Sequence, residues 1–295
     1  AAKVYVMQNW SRPDMVEPHK CTVADYTSVD GAPLVDPTCA GNTNGSNGDN
    51  NVFYTAQPTT ASNLNDITTD MNAALSSLLT GSNQLAGVIP TGNAFQKAVD
   101  ASVVKNSAFY NASGTWDEGG GLMNLWWLDR THGSKYGSYL SALTHFARLV
   151  GQTPIQFGPG DPVAAALGIS GSDAVTLQQM AKAAVVPGAP TAASATAGNG
   201  SVTVSFTPAV NLGGLDVTGY TATCGSQSAS NAASPIVVNG LANGVAVSCT
   251  VVATNSVGDS ALWAVSTSVT PMVGAGIAVS ANLNPTVVGQ TVVFT

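Results

Sequence analysis

The sequence is poor in charge. Asp, Glu, Lys and Arg make up 8% of the 295 residues, against roughly a quarter in ordinary soluble domains. Nine Lys and Arg face sixteen Asp and Glu, leaving a formal net charge of −7. No Lys/Arg cluster is present, which excludes nucleic acid as a partner, because phosphate binding needs a basic patch. No run of about eighteen uncharged apolar residues occurs either, so the sequence contains no spanning helix. C-x-x-C spacing and any His/Cys cluster are missing, and with them the usual signature of a structural zinc site. Residues 1–6 lack a basic start, an apolar middle and a cleavage signal in that order. The sequence therefore reads as a piece of a longer protein, beginning inside one strand and stopping inside another.

What replaces the charge is Ala, Gly, Ser, Thr and Asn, a style common in extracellular proteins. Apolar residues reach 44% and mean hydropathy is +0.19, enough to bury a core. Four cysteines fall into two local pairs, Cys21 with Cys39 and Cys224 with Cys249. Each pair lies inside one predicted module, which suits two disulfides in an oxidising compartment. The alternative is four free thiols in a cytosolic protein.

Two hydrophobic periods divide the chain. Residues 3–9 form a β-branched and aromatic run that predicts a buried strand. A polar excursion follows over residues 12–58, including the Gly/Asn-rich residues 41–51, which read as a surface loop stapled by Cys21 and Cys39. Asp36 and Asp49 could hold calcium there, but nothing matches an EF-hand loop. Leu64, Ile67, Met71, Leu75 and Leu78 recur at helical spacing over residues 62–79. A strand over residues 85–90 and a helix over residues 93–101 come next. Strand, helix, strand, helix predicts a parallel sheet with crossover helices. A helix beginning at Ser134 presents Tyr139, Leu140, Leu143, Phe146, Ala147 and Val150, and Gly151 can end it. Asp161-Pro162 opens a short helix, and Ser172-Asp173 opens another reaching about residue 184. Beyond residue 186 the pattern alternates: Val202, Val204 and Phe206, then residues 220–224 and 245–253. Short strands between Gly, Asn and Pro turns describe a β-sandwich, and residues 277–295 begin another alternating pattern.

The sharpest chemical feature is Asp129 with His132. At D-x-x-H spacing before a helix, the carboxylate can fold back on the imidazole, hold its tautomer and stabilise the imidazolium while His activates a serine. The plainer reading is a capping Asp and a surface His. Trp10, Trp126 and Trp127 could line a pocket beside the His or belong to the core, with core favoured for Trp127. His145, mid-helix, reads as structural, and His19 carries no reading.

Asp129-Arg130-Thr131-His132-Gly133-Ser134-Lys135-Tyr136-Gly137-Ser138-Tyr139-Leu140 resembles the D-x-x-H-x-S-x-x-G-x-Y-L segment of SGNH (GDSL-type) hydrolases. Val4-Tyr5-Val6-Met7-Gln8-Asn9-Trp10-Ser11-Arg12-Pro13-Asp14 and Val88-Ile89-Pro90-Thr91-Gly92-Asn93-Ala94-Phe95 resemble inner strands and turns of one such subfamily, in the right order. The resemblance covers roughly residues 3–185. It implies a partial flavodoxin-like three-layer α/β domain, with His132 as general base and Asp129 as its orienting carboxylate. It implies no metal or organic cofactor, and an acyl ester or acetylated glycan as substrate. The family's Gly-Asp-Ser-like nucleophile block and its oxyanion Gly and Asn blocks do not precede this segment. Ser11 and Ser134 occupy no nucleophile position. The expectation is an inactive fragment of an ester hydrolase.

Residues 187–190, 219–224, 240–244 and 249–258, the last with an A-x-N-x-x-G end, resemble fibronectin type III modules of secreted bacterial proteins. Cys224 and Cys249 then fall on strands that pair or face each other. Residues 279–295 look like the start of a bacterial Ig-like repeat. The chain thus reads as multidomain: residues 1–185 an SGNH-like α/β part, residues 186–271 an all-β fibronectin type III sandwich, residues 272–295 a truncated Ig-like segment. The competing function is a non-catalytic secreted or cell-surface adhesion protein, whose β-modules contact polysaccharide or cell surface.

Overall fold

The computed structural model describes residues 4–10, 64–81, 85–106, 121–126, 132–208, 215–264 and 268–273. Cys21, Cys39, His19, Asp36, Asp49, Ser11, Trp127, Asp129 and the tail after residue 273 lie outside the described residues. The chain divides into two compact units, one holding residues 1–189, 209–219 and 253–261, the other holding residues 190–208, 220–252 and 262–295.

In the larger unit, strand β1 (Val4–Met7) pairs parallel with β2 (Leu85–Ile89), Met7 opposite Ile89. Parallel pairing requires a crossover, and helix α1 (Leu64–Gly81) lies on it. Helix α2 (Thr91–Asp100) leaves β2 directly. Beyond it, Val104 and Met123 form an isolated parallel bridge. Helix α3 (Lys135–Val150) starts at a Ser134 cap, whose hydroxyl accepts from the Tyr136 and Gly137 amides, and Gly151 closes it in the left-handed conformation at φ 72°. That Gly was expected there, because a Cβ disfavours positive φ. Helix α4 (Pro162–Ala166) has Asp161 as its cap and Pro at its first position. Helix α5 (Gly171–Val185) is capped by Ser170 rather than by the expected Ser172 or Asp173, since the Ser170 hydroxyl reaches the Asp173 amide.

The core of this unit gathers Phe95 and Ala98 of α2, Leu125 and Trp126, Tyr139, Leu140 and Leu143 of α3, and Ala174, Leu177 and Ala181 of α5. Ala147 is buried in a separate small cluster, and two members of the expected α3 stripe are not fully buried. Val150 is 54% exposed, and Phe146 is half-buried against Phe157 at 4.9 Å. Arg148 is buried instead, its Nε donating to the Val88 carbonyl at 3.0 Å and its guanidinium over the Tyr5 ring. Its long stem covers apolar surface while the head finds a partner. On α1, Leu64 and Ile67 are buried but Leu78 is exposed, so the apolar stripe is used only at the N-terminal end.

The remaining strands are antiparallel and lie mostly in the smaller unit, with residues 219 and 253–261 grouped in the larger. Strands β3 (Thr191–Gly198), β4 (Ser201–Thr207) and β7 (Ile236–Asn239) form one sheet in that order. Strands β5 (Gly219–Cys224), β6 (Gln227–Asn231), β8 (Cys249–Asn255) and β10 (Trp263–Ala264) form the other, in the order β10-β8-β5-β6, with β9 (Gly258–Asp259) beside β8. β8 begins at Cys249, four residues later than the alternation suggested. Alternate residues point inward: Val202, Val204, Phe206, Tyr220, Ala222, Ile236, Val238 and Val251 are buried. Phe206 and Tyr220 meet across the interior at 4.8 Å. Two sheets in this order, with alternating burial on both inner faces, form the fibronectin type III-like sandwich. Cys224 and Cys249 are disulfide-bonded with Cα atoms 4.2 Å apart, on the neighbouring strands β5 and β8.

Candidate functional site

The C-terminal edge of a parallel sheet is where an α/β fold places its ligands, because the strands there feed loops and helix N-termini. Here the edge is reached by Gln8, Asn9 and Trp10 after β1 and by Pro90, Thr91 and Gly92 after β2. Trp10 stacks on Phe95 with ring centroids 5.0 Å apart and planes 7° from parallel. Phe95 meets Trp126 edge-on at 5.8 Å. Trp126 bridges antiparallel to Gly133, and the Ser134 amide donates to the Leu125 carbonyl at 2.8 Å. His132, exposed, stands one residue before Gly133.

Two glycines let the segments close up. A Cβ on Gly92 would collide with the Asn9 carbonyl oxygen, and one on Gly137 would collide with the Leu125 carbonyl oxygen. The start of α2 thus lies against the end of β1, and the start of α3 against residue 125. Both helix N-termini turn their positive dipole ends toward these segments, with the Asn93, Tyr136 and Gly137 amides already donating to Gln8 and Ser134.

Buried amides join the segments. Gln8, 1% exposed, donates to Asn72 Oδ1 at 2.8 Å and Asn93 Oδ1 at 3.2 Å, and accepts from the Asn93 amide at 2.9 Å. Asn72 Nδ2 donates to Asn93 Oδ1 at 2.9 Å. The sequence pattern did not single out these residues; the available signal was the unbroken polar pair Gln8-Asn9 ending an apolar strand. Thr91 Oγ1 and Asn124 Nδ2, both buried on segments framing the edge, have no hydrogen-bond partner among the described residues. Buried polar groups are nearly always paired, so such groups suit a water or a bound molecule.

Other candidates resolve differently. Ser134 Oγ donates to the Asn124 carbonyl at 2.5 Å while capping α3. It is the cap of the helix expected to begin at this residue. Trp126 is 1% exposed and therefore core, not a pocket wall. His145 Nδ1 lies 2.8 Å from the Ser141 carbonyl, a helix-internal contact. Gly258-Asp259-Ser260 spells the Gly-Asp-Ser triplet literally, yet its Ser260 is buried in the β8–β9 region. Its hydroxyl accepts from the Ala253 amide and donates to the Ala261 carbonyl. A buried serine hydroxyl committed in both directions is structural. Among the described residues no three His, Cys, Asp or Glu side chains gather as metal ligands.

No family model matches the chain. No curated protein matches it either. Solved structures do resemble about a third of it. Titin domains A168–A170 share 18% identity with a TM-score of 0.27, over 30% of this chain and 32% of that one. The twitchin kinase region of C. elegans shares 21% with a TM-score of 0.27, over 30% and 17%. A human FNIII domain shares 21% with a TM-score of 0.26, over 30% and 82%. The chain thus spans about a third or less of the length of the titin and twitchin structures. No helix among the described residues is long and apolar enough to cross a membrane.

Proposed function

We propose that the larger unit derives from an SGNH-type ester hydrolase, acting on small acyl esters or acetylated glycans, with His132 as general base and Asp129 as its orienting carboxylate. The observation that carries the reading is the place of His132. It is exposed and one residue from Gly133, whose bridge partner Trp126 packs on Phe95 of the helix that follows β2, and this supports the reading. The neighbouring helix N-termini and the buried, unpartnered Thr91 Oγ1 and Asn124 Nδ2 favour a bound oxygen-rich group. The flavodoxin-like three-layer architecture belongs to the same proposal.

In this scheme His132 takes the proton of a serine hydroxyl as it attacks the acyl carbon, then returns it to the leaving alcohol. Asp129 holds the ring and stabilises the imidazolium. The serine and the oxyanion donors, which contribute a large share of the rate, are required from outside these 295 residues. The disulfide of the sandwich supports export to an oxidising compartment.

The test is the coding sequence upstream of Ala1, followed by assay of the longer protein on a short-chain aryl ester. A strand leading into a Gly-Asp-Ser or Gly-Asn-Ser block is expected, with turnover that falls by about three orders of magnitude in His132→Ala. An upstream region with no such serine leaves the secreted binding scaffold as the better account.

A further inference from the structure

A second concavity in the larger unit, on the face between α1 and α2, has a volume of about 460 Å³. That is within the roughly 300–1,000 Å³ usual for small-molecule sites. One wall is polar throughout: Thr68 and Asn72 on α1, and Asn93, Gln96, Lys97 and Asp100 on α2. The four on α2 stand at i, i+3, i+4 and i+7, one continuous helical face. A face turned toward a neighbouring helix is ordinarily apolar, because buried polar groups cost free energy unless each finds a partner. The facing wall is apolar, formed by Ala183, Val186, Pro187 and Ala189, with Ala261 at its rim.

We propose that this cleft is a binding site for a neutral saccharide. Each sugar hydroxyl both donates and accepts, and the polar wall sets amides and hydroxyls side by side to answer it. Asn72 uses one amide hydrogen on Asn93, and Gln96 uses one on Asp100 at 2.7 Å, so each amide keeps a second. The wall is fixed before any ligand arrives. Gln8, beneath it, holds Asn72 and Asn93, while the Thr68 hydroxyl lies 3.3 Å from Gln96 Oε1. Preorganised donors lose less entropy on binding. Lys97 and Asp100 leave the wall without net charge, so it offers a free phosphate or carboxylate no net attraction. Val186, Pro187 and Ala189 offer an apolar surface to the C–H face of a sugar ring.

The test uses the intact 295-residue chain and no ester turnover, so it stands or falls apart from the hydrolase reading. N-acetylchitotriose, cellotriose and maltotriose are titrated by saturation-transfer NMR and calorimetry, with glucuronate and inorganic phosphate as anionic probes. Saturable binding of at least one neutral trisaccharide is expected, weakened tenfold or more in Asn72→Ala. Ala261→Trp plugs the cleft from an exposed position and should abolish binding with the melting temperature unchanged; it carries the test if Asn72→Ala fails to fold. Binding that survives Ala261→Trp, tighter binding of the anions, or no binding by any of the three trisaccharides overturns the proposal.

Discussion

Asn255 donates its side-chain amide to the Val185 carbonyl at 2.9 Å, tying the end of β8 to the last residue of α5. The same amide reaches the Leu215 carbonyl at 3.4 Å, and Asn255 Oδ1 accepts from the Val257 and Gly258 amides at 3.0 and 3.2 Å. Asn255 is 3% exposed, so every one of these groups loses water on folding. Asn255→Ala removes four bonds and leaves the Val185 carbonyl buried. The expected cost is about 2–3 kcal/mol, which lowers the melting temperature by about 2–4 °C per kcal/mol for a unit of this size. Thermal unfolding followed by circular dichroism reads it. An unchanged melting temperature would show that water replaces the amide at no cost.

The interior hydroxyl of Tyr139 sets an alkaline limit. Burial pushes its pKa up to about 12, and its 2.6 Å hydrogen bond to the Asp161 carboxylate pushes in the same direction. A group whose folded pKa lies above its unfolded value of about 10 binds more protons in the native state. Its stabilising effect is complete below pH 10 and is lost as pH rises toward 12. Denaturant midpoints measured from pH 8 to 11.5 should fall above pH 10 in the wild type. Tyr139→Phe should be less stable by about 1–3 kcal/mol at pH 7, because Asp161 loses its donor. The fall above pH 10 should flatten in that variant. A slope that persists in Tyr139→Phe would assign the alkaline loss to other groups.

The sandwich and the α/β elements were legible for different reasons. Alternation over Val202, Val204 and Phe206 leaves one register for β4, since a slip by one residue turns every apolar side chain outward. Helix α3 was readable at both ends, because Ser134 and Gly151 each satisfy a backbone requirement that few residues meet. Val150 and Leu78 misled, because helical period identifies an apolar stripe but not how far along it a neighbouring element extends. The cap of α5 was misplaced by two residues within Ser170-Gly171-Ser172-Asp173, where each Ser can cap and only the chain path decides. The Gln8–Asn72–Asn93 network was not legible, since its members are 64 and 85 residues apart and carry no periodic signal. For the Asp129–His132 pair, the spacing was legible in the sequence, while Asp129 lies outside the described residues.

The disulfide should carry a definite share of the sandwich's stability. Cys224 and Cys249 are 25 residues apart, and closing a loop of that length restricts the unfolded chain by about 3 kcal/mol in the chain-entropy model. Reduction, or the double substitution Cys224→Ala with Cys249→Ala, should lower the unfolding free energy of the sandwich by that amount, read as a lower denaturant midpoint, and leave its β-sheet spectrum intact. Both cysteines are buried, so reduction should require partial unfolding. Rapid reduction of the native protein by a small thiol would contradict that placement.

The close approaches of Gly92 and Gly137 make a prediction about the edge itself. At each position a methyl group would meet a backbone carbonyl oxygen, which no rotamer change can move aside. Gly137→Ala must therefore push the first turn of α3 away from residue 125. That strains the Ser134 amide bond to Leu125 and the contact of α3 with Phe95. Overpacking of this kind costs about 1–3 kcal/mol, more than the helix propensity that Ala gains over Gly, about 1 kcal/mol. Ser141→Ala, one turn further along the same helix, supplies the control, since it leaves the Ser138 hydroxyl's bond to the Gly133 carbonyl in place. The expected order of melting temperature is wild type and Ser141→Ala together, with Gly137→Ala clearly below. A stabilised Gly137→Ala would mean that propensity outweighs packing there, and that the helix does not bear closely on residue 125.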